Sequence, residues 1–249
     1  MAPATARIES QPIVRMVPRG GLCEQCEVRG TAACAVLDDW ELERLEGIAT
    51  QKEYEPGQTV FEEGDDPRFM YNVTSGMIRL FKLLPNGRRQ IVGFVFPGDM
   101  LGLATRGAYT CSAEAIGPVK VCRFPREKLI VLLDEFPHLQ GRLLDMAADE
   151  LEQAQEQMLL LGRKSPMEKV ASFLLRLRGE NVRCGNRVDR LDLAMGRGDI
   201  ADYLGLTIET VSRTFTKLRN ENVIALEGAH HVVISNEDAL EDLADAMGD

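Results

Sequence analysis

Residues 196–224 read GRGDIADYLGLTIETVSRTFTKLRNENVI, and this stretch decides the architecture. Asp199–Leu204 carries Ile200, Ala201 and Leu204 at helical spacing, which predicts a short helix with one apolar face. Gly205 stands where a tight turn needs a positive φ. Thr207 is placed to cap a second helix running to about Asn220. Along that helix Val211, Phe215 and Leu218 share one side, while Glu209, Ser212 and Arg213 share the other. Two short helices joined by a glycine turn make a helix-turn-helix. Val223–Leu226 and His231–Ser235 then flank Glu227-Gly228-Ala229 as a small hairpin, a wing. Such a motif inserts the first turns of its second helix into the DNA major groove. There Arg213 can bond bidentately to guanine, Glu209 can accept from the cytosine amino group, and Ser212 reaches a base or a phosphate. Lys217 and Arg219 suit phosphates, and the capping Thr207 completes the expected contact set.

Upstream, residues 167–179 are helical, with Val170, Phe173, Leu174 and Leu177 apolar. Gly162-Arg-Lys-Ser-Pro166 breaks the pattern and reads as a hinge. Before it, from about Phe136, Leu144, Ala147, Leu151, Ala154, Met158 and Leu161 alternate by three and four, a heptad seam. Its length, its small alanines and its place between domains favour a dimer coiled coil over a helix packed on its own chain. From Tyr54 to Phe124 the texture is different. Short apolar runs such as Met77–Phe81 and Gln90–Phe94 alternate with turn pairs, including Pro85-Asn86-Gly87. Many short strands at near-regular spacing predict an antiparallel roll. Asp38–Leu42 opens a short helix ahead of it, with Leu42, Leu45 and Ile48 on one face.

The N-terminal stretch PRGGLCEQCEVRGTAAC, residues 18–34, places Cys23, Cys26 and Cys34 in a C-x2-C-x7-C pattern. It is Gly-rich and too poor in apolar residues for a core of its own, so a metal centre is expected to order it. Three thiolates and a fourth from elsewhere would complete an all-thiolate shell, as for an iron–sulfur cluster or zinc. The chain has 249 residues with 45% hydrophobic content, enough for real cores. No stretch reaches a membrane span and the first residues are not a signal peptide, so a cytoplasmic location is expected, where clustered cysteines favour metal over disulfide. The net charge is −10, yet residues 165–235 hold ten Lys/Arg against nine Asp/Glu, so the acidity lies elsewhere. Six acids and no base occupy residues 236–249. His138, His230 and His231 are the only histidines and none has a nucleophile beside it, and no phosphate loop or dinucleotide fingerprint occurs, so an enzyme is not expected.

The order of these elements resembles the CRP/FNR family of bacterial transcription regulators over nearly the whole chain, most sharply in GRGDIADYLGLTIETVSRTFTKLR and in MLLLGRKSPMEKVASFL. The resemblance implies an α+β fold. Residues 1–37 would be a cluster-binding arm and 38–137 a jelly-roll sensor domain like those that bind cyclic nucleotides. Residues 138–164 would be a dimerisation helix with its hinge, and 165–249 a winged helix-turn-helix. The arm resembles the oxygen-sensing, fumarate–nitrate branch in its alphaproteobacterial form. That implies a 4Fe–4S cluster held by Cys23, Cys26, Cys34 and one β-roll cysteine. The branch places this ligand before a hydrophobic-Pro step, which selects Cys122, ahead of Phe124-Pro125, over Cys111. TIETVSR resembles readers of a TTGAT half-site through Glu209, Ser212 and Arg213, so palindromic DNA, a second copy of the chain and RNA polymerase are the implied partners. The x7 spacing before Cys34 is longer than in the enteric branch, and Ala154 stands where that branch has an acid on the seam. A cyclic-nucleotide receptor of the same fold is the first rival, but Thr110-Cys111-Ser112-Ala113 lacks the arginine a nucleotide phosphate would want. A zinc-stabilised protein or an iron–sulfur enzyme is the second.

Overall fold

The computed structural model describes residues 21–23, 26–103, 107–187, 189–228 and 230–245. The expected arm therefore lies partly outside the described residues. Its described part turns through Val28–Ala32 and ends in a 3₁₀ helix, Ala33–Val36. Helix α1, Asp39–Glu46, starts from a capping box in which Asp38 accepts from Glu41 N and Glu41 returns a bond to Asp38 N.

Eight strands build the roll as two four-stranded antiparallel sheets. Strands β1 (Thr50–Tyr54), β8 (Val119–Pro125), β3 (Phe69–Ser75) and β6 (Met100–Leu101) form one, in that spatial order. Strands β2 (Thr59–Phe61), β7 (Ser112–Ala115), β4 (Ile78–Leu83) and β5 (Arg89–Val95) form the other. The roll interior is closed by Tyr54, Phe61, Tyr71 and Tyr109, with Phe61 and Tyr109 stacked at 3.8 Å between ring centroids. Alternation along β8 sends Val119 and Val121 into that interior and Cys122 and Phe124 to the opposite face. There α1, α2 (Arg126–Glu135) and the start of α3 (Pro137–Arg163) cover the sheet and share a second core.

Helix α4 (Pro166–Arg183) follows the break at Lys164-Ser165, where Ser165 and Glu168 form another capping box. Strand β9 (Arg190–Asp192) precedes α5 (Arg197–Leu204) and α6 (Ile208–Asn220). Strand β10 (Ile224–Glu227) pairs with β11 (His231–Ile234), and β11 pairs in turn with β9, so the expected hairpin carries a third strand. Helix α7 (Glu237–Asp245) packs on α4 through Leu240 and Ala244. The run of acids hides its apolar spacing in the sequence.

Roll and C-terminal unit share one core. Ile91, Phe94 and Phe96 of the roll join Phe173, Tyr203 and Leu204. A charged clamp reinforces the contact. Arg79 on β4 binds both Asp199 oxygens at 3.1 Å and also pairs with Glu114, while Arg89 on β5 reaches Asp199 at 2.6 Å and Asp202 at 3.0 Å. The first helix of the helix-turn-helix is thereby tied to its own sensor roll. Among the described residues no helix is long and apolar enough to cross a membrane.

Candidate functional site

Two sites stand at opposite ends of this frame. The first is a cavity lined by Cys23, Cys26, Cys34 and Cys122. The cysteines come from three places, the described residues 21–23 and 26 of the arm, the 3₁₀ helix and strand β8. The remaining wall is apolar, with Ala33, Leu45, Ala49, Met100, Phe124, Leu129, Leu139 and Leu143, together with Arg29 and Asn72. The arm is seated by Val28, Ala32, Ala33 and Leu37, all buried, so neighbouring helices supply the core it lacks. Metal is therefore not the only thing ordering its described part, as the composition had suggested. Leu22 N donates to Glu46 at 2.6 Å, and Arg142 on α3 donates to Thr31 O at 3.5 Å. Cys111 lies beyond this cavity, just before β7, with Lys82, Glu150 and Glu63 as its charged neighbours. Cys184 ends α4 against Pro97 O.

Burial pushes the Cys23 thiol up to about 12, helped by Glu46 and by the other three cysteines. Cys122 is pushed up to about 11 by burial and by Cys26, Cys34 and Glu46, and Cys34 is raised by burial and by Cys26 against the opposing pull of Arg29. At neutral pH these thiols stay protonated unless a cation shares the cavity. The donor set, four soft sulfurs within an apolar shell, fits a thiolate-held metal centre, whose positive charge would favour the charged forms. Among the described residues no three Cys, His, Asp or Glu side chains gather as a single ion requires. The four sulfurs line a wall instead of converging on a point.

Leu139 and Leu143, both buried in the cavity wall, belong to the first turns of α3. The adjoining face of α3 carries the heptad seam. Leu144 is 71%, Leu151 60% and Met158 65% exposed in the single chain, Ala154 is exposed and Ala147 half-buried. An uncovered apolar stripe of this kind marks an interaction surface. Leu161 is different. At 37% exposure its Cδ2 lies 3.2 Å from where a Cβ on Gly205 would stand, so the end of the seam touches the helix-turn-helix turn. Leu159, 58% exposed, lies off the expected stripe.

The second site is α6. Gly205 takes φ 63°, the left-handed conformation that glycine adopts without strain, and turns the chain from α5 into α6. Thr207 caps α6 by accepting from Thr210 N at 3.1 Å. Val211, Phe215 and Leu218 are buried, while Glu209, Ser212, Arg213 and Lys217 are exposed. Arg213 and Glu209 sit 3.7 Å apart, both mostly exposed, which keeps the pair weak and free to separate on a base edge. Lys217 lies one turn further along, 3.9 Å from Glu221. Ser212 Oγ donates to Ile208 O at 2.9 Å, leaving its lone pairs to accept. Two residues were missed in the sequence reading. Ile208 opens α6 with 58% of its surface exposed, beside Glu209, where a thymine methyl could pack. Arg197 lies 3.7 Å over the Phe215 ring, its charge disfavoured by burial, with no acid paired to it among the described residues. Neither stood out, because Ile208 reads as a helix former and Arg197 as one base among several.

A sensor-type roll joined by a long helix to a winged helix-turn-helix with an open reading face defines a class, the DNA-binding regulators. Comparison with known proteins narrows it. The cyclic nucleotide-binding domain model matches residues 51–136, and the Crp-like helix-turn-helix domain model matches residues 168–243. The chain is 47% identical to the nitrogen fixation regulation protein FixK of Bradyrhizobium diazoefficiens, over 86% of this chain and 90% of FixK. It is 32% identical to the fumarate and nitrate reduction regulatory protein of Escherichia coli K12, over 95% of this chain and 97% of that one. The solved structure of FixK2 from Bradyrhizobium japonicum superposes with a TM-score of 0.76 at 36% identity, covering 81% of this chain and all (100%) of FixK2. The chain belongs to the CRP/FNR family and is a DNA-binding transcription regulator, not an enzyme.

Proposed function

We propose that the protein is an oxygen-responsive, cytoplasmic transcription activator that binds a TTGAT-type palindrome as a homodimer while a 4Fe–4S cluster is held by Cys23, Cys26, Cys34 and Cys122. The observation that carries this reading is an apolar cavity at the base of the long helix, lined by the three arm cysteines and by Cys122 from a strand some ninety residues further on. The activator role and the branch rest on likeness to relatives whose names include a transcriptional activator protein FnrL, 39% identical over 86% of this chain, and the Escherichia coli regulator. When bound, a cluster supplies positive charge that stabilises four thiolates and an oxygen-labile link between arm and roll.

The chain's own residues do the rest. Held thiolates keep the arm against Leu139 and Leu143, which sets the face that α3 turns outward. Leu144, Ala147, Leu151, Ala154, Met158 and Leu161 then pair with their copies, and two α6 helices present Glu209, Ser212 and Arg213 one helical turn apart. Without the metal, burial returns the protons to Cys23, Cys34 and Cys122 and the arm loses its tie to β8. RNA polymerase is the partner such an activator addresses. A cyclic nucleotide is disfavoured as the ligand, because aromatic rings close the roll interior and Thr110-Cys111-Ser112-Ala113 brings no arginine. The test is anisotropy of a labelled TTGAT palindrome with anaerobically reconstituted protein, before and after air. Binding should fall at least tenfold on exposure. Equal affinity in both states would reject the sensing role.

A further inference from the structure

The cysteine cavity has a second neighbour besides α3. Asn72 lines it, is 5% exposed, and stands directly opposite Cys122 in the β3–β8 register. Cross-strand partners of this kind have Cβ atoms roughly 5 Å apart; of the two that Cys122 has, Gln51 on β1 is exposed, and only Asn72 on β3 is buried in the cavity wall. In the orientation that satisfies both ends of its amide, the Asn72 nitrogen donates to Gly98 O at 3.1 Å and Asp99 O at 3.2 Å. Both acceptors lie in the tight turn Phe96–Asp99, which the Asp99 carboxylate closes by accepting from Phe96 N at 2.8 Å.

The far side of the same turn touches the DNA-binding unit. Arg183, in the last turn of α4, pairs with Asp99 at 2.8 Å, donates to Pro97 O at 3.4 Å, and is steadied by Glu180 at 2.7 Å. Its side chain and the Asp99 side chain are about two-thirds buried, so the pair is shielded from solvent. The arm reaches the turn as well. Gly98 has φ +96°, and a Cβ there would lie 2.8 Å from Thr31 Oγ1 and 3.2 Å from Arg183 Nη1. Arm, strand and DNA-binding unit therefore meet at one four-residue turn.

We propose that the Phe96–Asp99 turn is a relay within one chain, passing changes at Cys122 through Asn72 and Asp99 to Arg183 and so to the end of α4. Buried, hydrogen-bonded groups with little room cannot yield singly, so Asn72 moves the turn when its own position shifts. This route is separate from the one through Leu139 and Leu143 to the seam, which acts between chains. Asn72, Asp99 and Arg183 are positioning residues. The inference rests on the proposed role of the cavity as the sensing site.

The test is backbone hydrogen exchange on the full-length protein, read at residues 180–186 and, as a control, at residues 139–147. Two perturbations are applied, reconstitution with ferrous iron and sulfide, and Cys122→Ala without metal. In the wild-type background each should change exchange at both segments several-fold. In Asp99→Asn, which keeps an acceptor for Phe96 N but loses the charge, the response at 180–186 should vanish and that at 139–147 should persist. Arg183→Met should do the same. An unchanged 180–186 response in Asp99→Asn, or none in the wild type, overturns the relay. Failure to bind iron would count against the cluster, while the Cys122→Ala arm still decides the relay.

Discussion

Replacing Leu151 by Glu tests the seam most sharply, because in the single chain this side chain is 60% exposed and so contributes little to the fold of one copy. Full burial of a leucine is worth about 1.5–3 kcal/mol, so covering that exposed share gives about 1–2 kcal/mol per copy and about 2–4 per dimer. Two facing carboxylates roughly 6 Å apart at an effective dielectric near 20 add about 3 kcal/mol of repulsion. The sum, about 5–7 kcal/mol, corresponds to roughly 10⁴–10⁵ in Kd. Anaerobic sedimentation velocity on reconstituted Leu151→Glu should show monomer at concentrations where wild type is dimeric. Circular dichroism should be unchanged, since the monomer fold does not depend on Leu151. A dimer Kd within tenfold of wild type would make α3 a helix that packs only on its own chain.

Three further outcomes follow from the site geometry. Arg213→Ala should cost about 1–3 kcal/mol on the preferred palindrome and flatten discrimination at one base pair, whereas Lys217→Ala should weaken all sequences alike and shallow the salt dependence; single-base variants measured by anisotropy separate the two. Deoxyuridine in place of one half-site thymine should weaken the wild type by several-fold and leave Ile208→Ala unaffected, and an equal loss in both proteins would remove Ile208 from the reading face. In metal-free, reduced protein at pH 8, iodoacetamide should label Cys23 about a thousandfold and Cys122 about a hundredfold more slowly than a free thiol, because their thiols titrate near 12 and 11 instead of 9.0. The sign of the linked stability follows from the same shifts. Raised thiol values favour the folded metal-free form below pH 9, and that contribution is lost as pH rises through 11 to 12. Cysteine peptides labelled at the free-thiol rate would show that the cavity does not exclude water.

Much of the frame is legible in the chain because local chemistry dictates it. Gly205 is demanded by its φ of 63°, Thr207 by the orphan amides of α6, and the exposed leucines of α3 by their spacing. Cys122 is reached only through the family resemblance, by its place before Phe124-Pro125; in the structure, alternation along β8 turns it toward the helices, away from Val121, and so into the cavity with the arm cysteines. What could not be read depends on distant pairings. The clamp of Arg79 and Arg89 on Asp199 joins residues 120 and 110 positions apart, and no local pattern marks either arginine. Asn72 is unremarkable until β3 lies beside β8. Helix α7 hides its two buried residues, Leu240 and Ala244, among acids.

Ligation of an iron–sulfur cluster by Cys23, Cys26, Cys34 and Cys122 is tested by anaerobic reconstitution with iron and sulfide, followed by visible absorption and iron and sulfide analysis of the wild type, Cys122→Ala and Cys111→Ala. Broad visible absorption with about four irons and four sulfides per chain is expected in the wild type and in Cys111→Ala, and its loss in Cys122→Ala. A colourless wild type that retains zinc would exclude the cluster, and a Cys122→Ala variant that keeps the absorption while Cys111→Ala loses it would move the fourth ligand to Cys111.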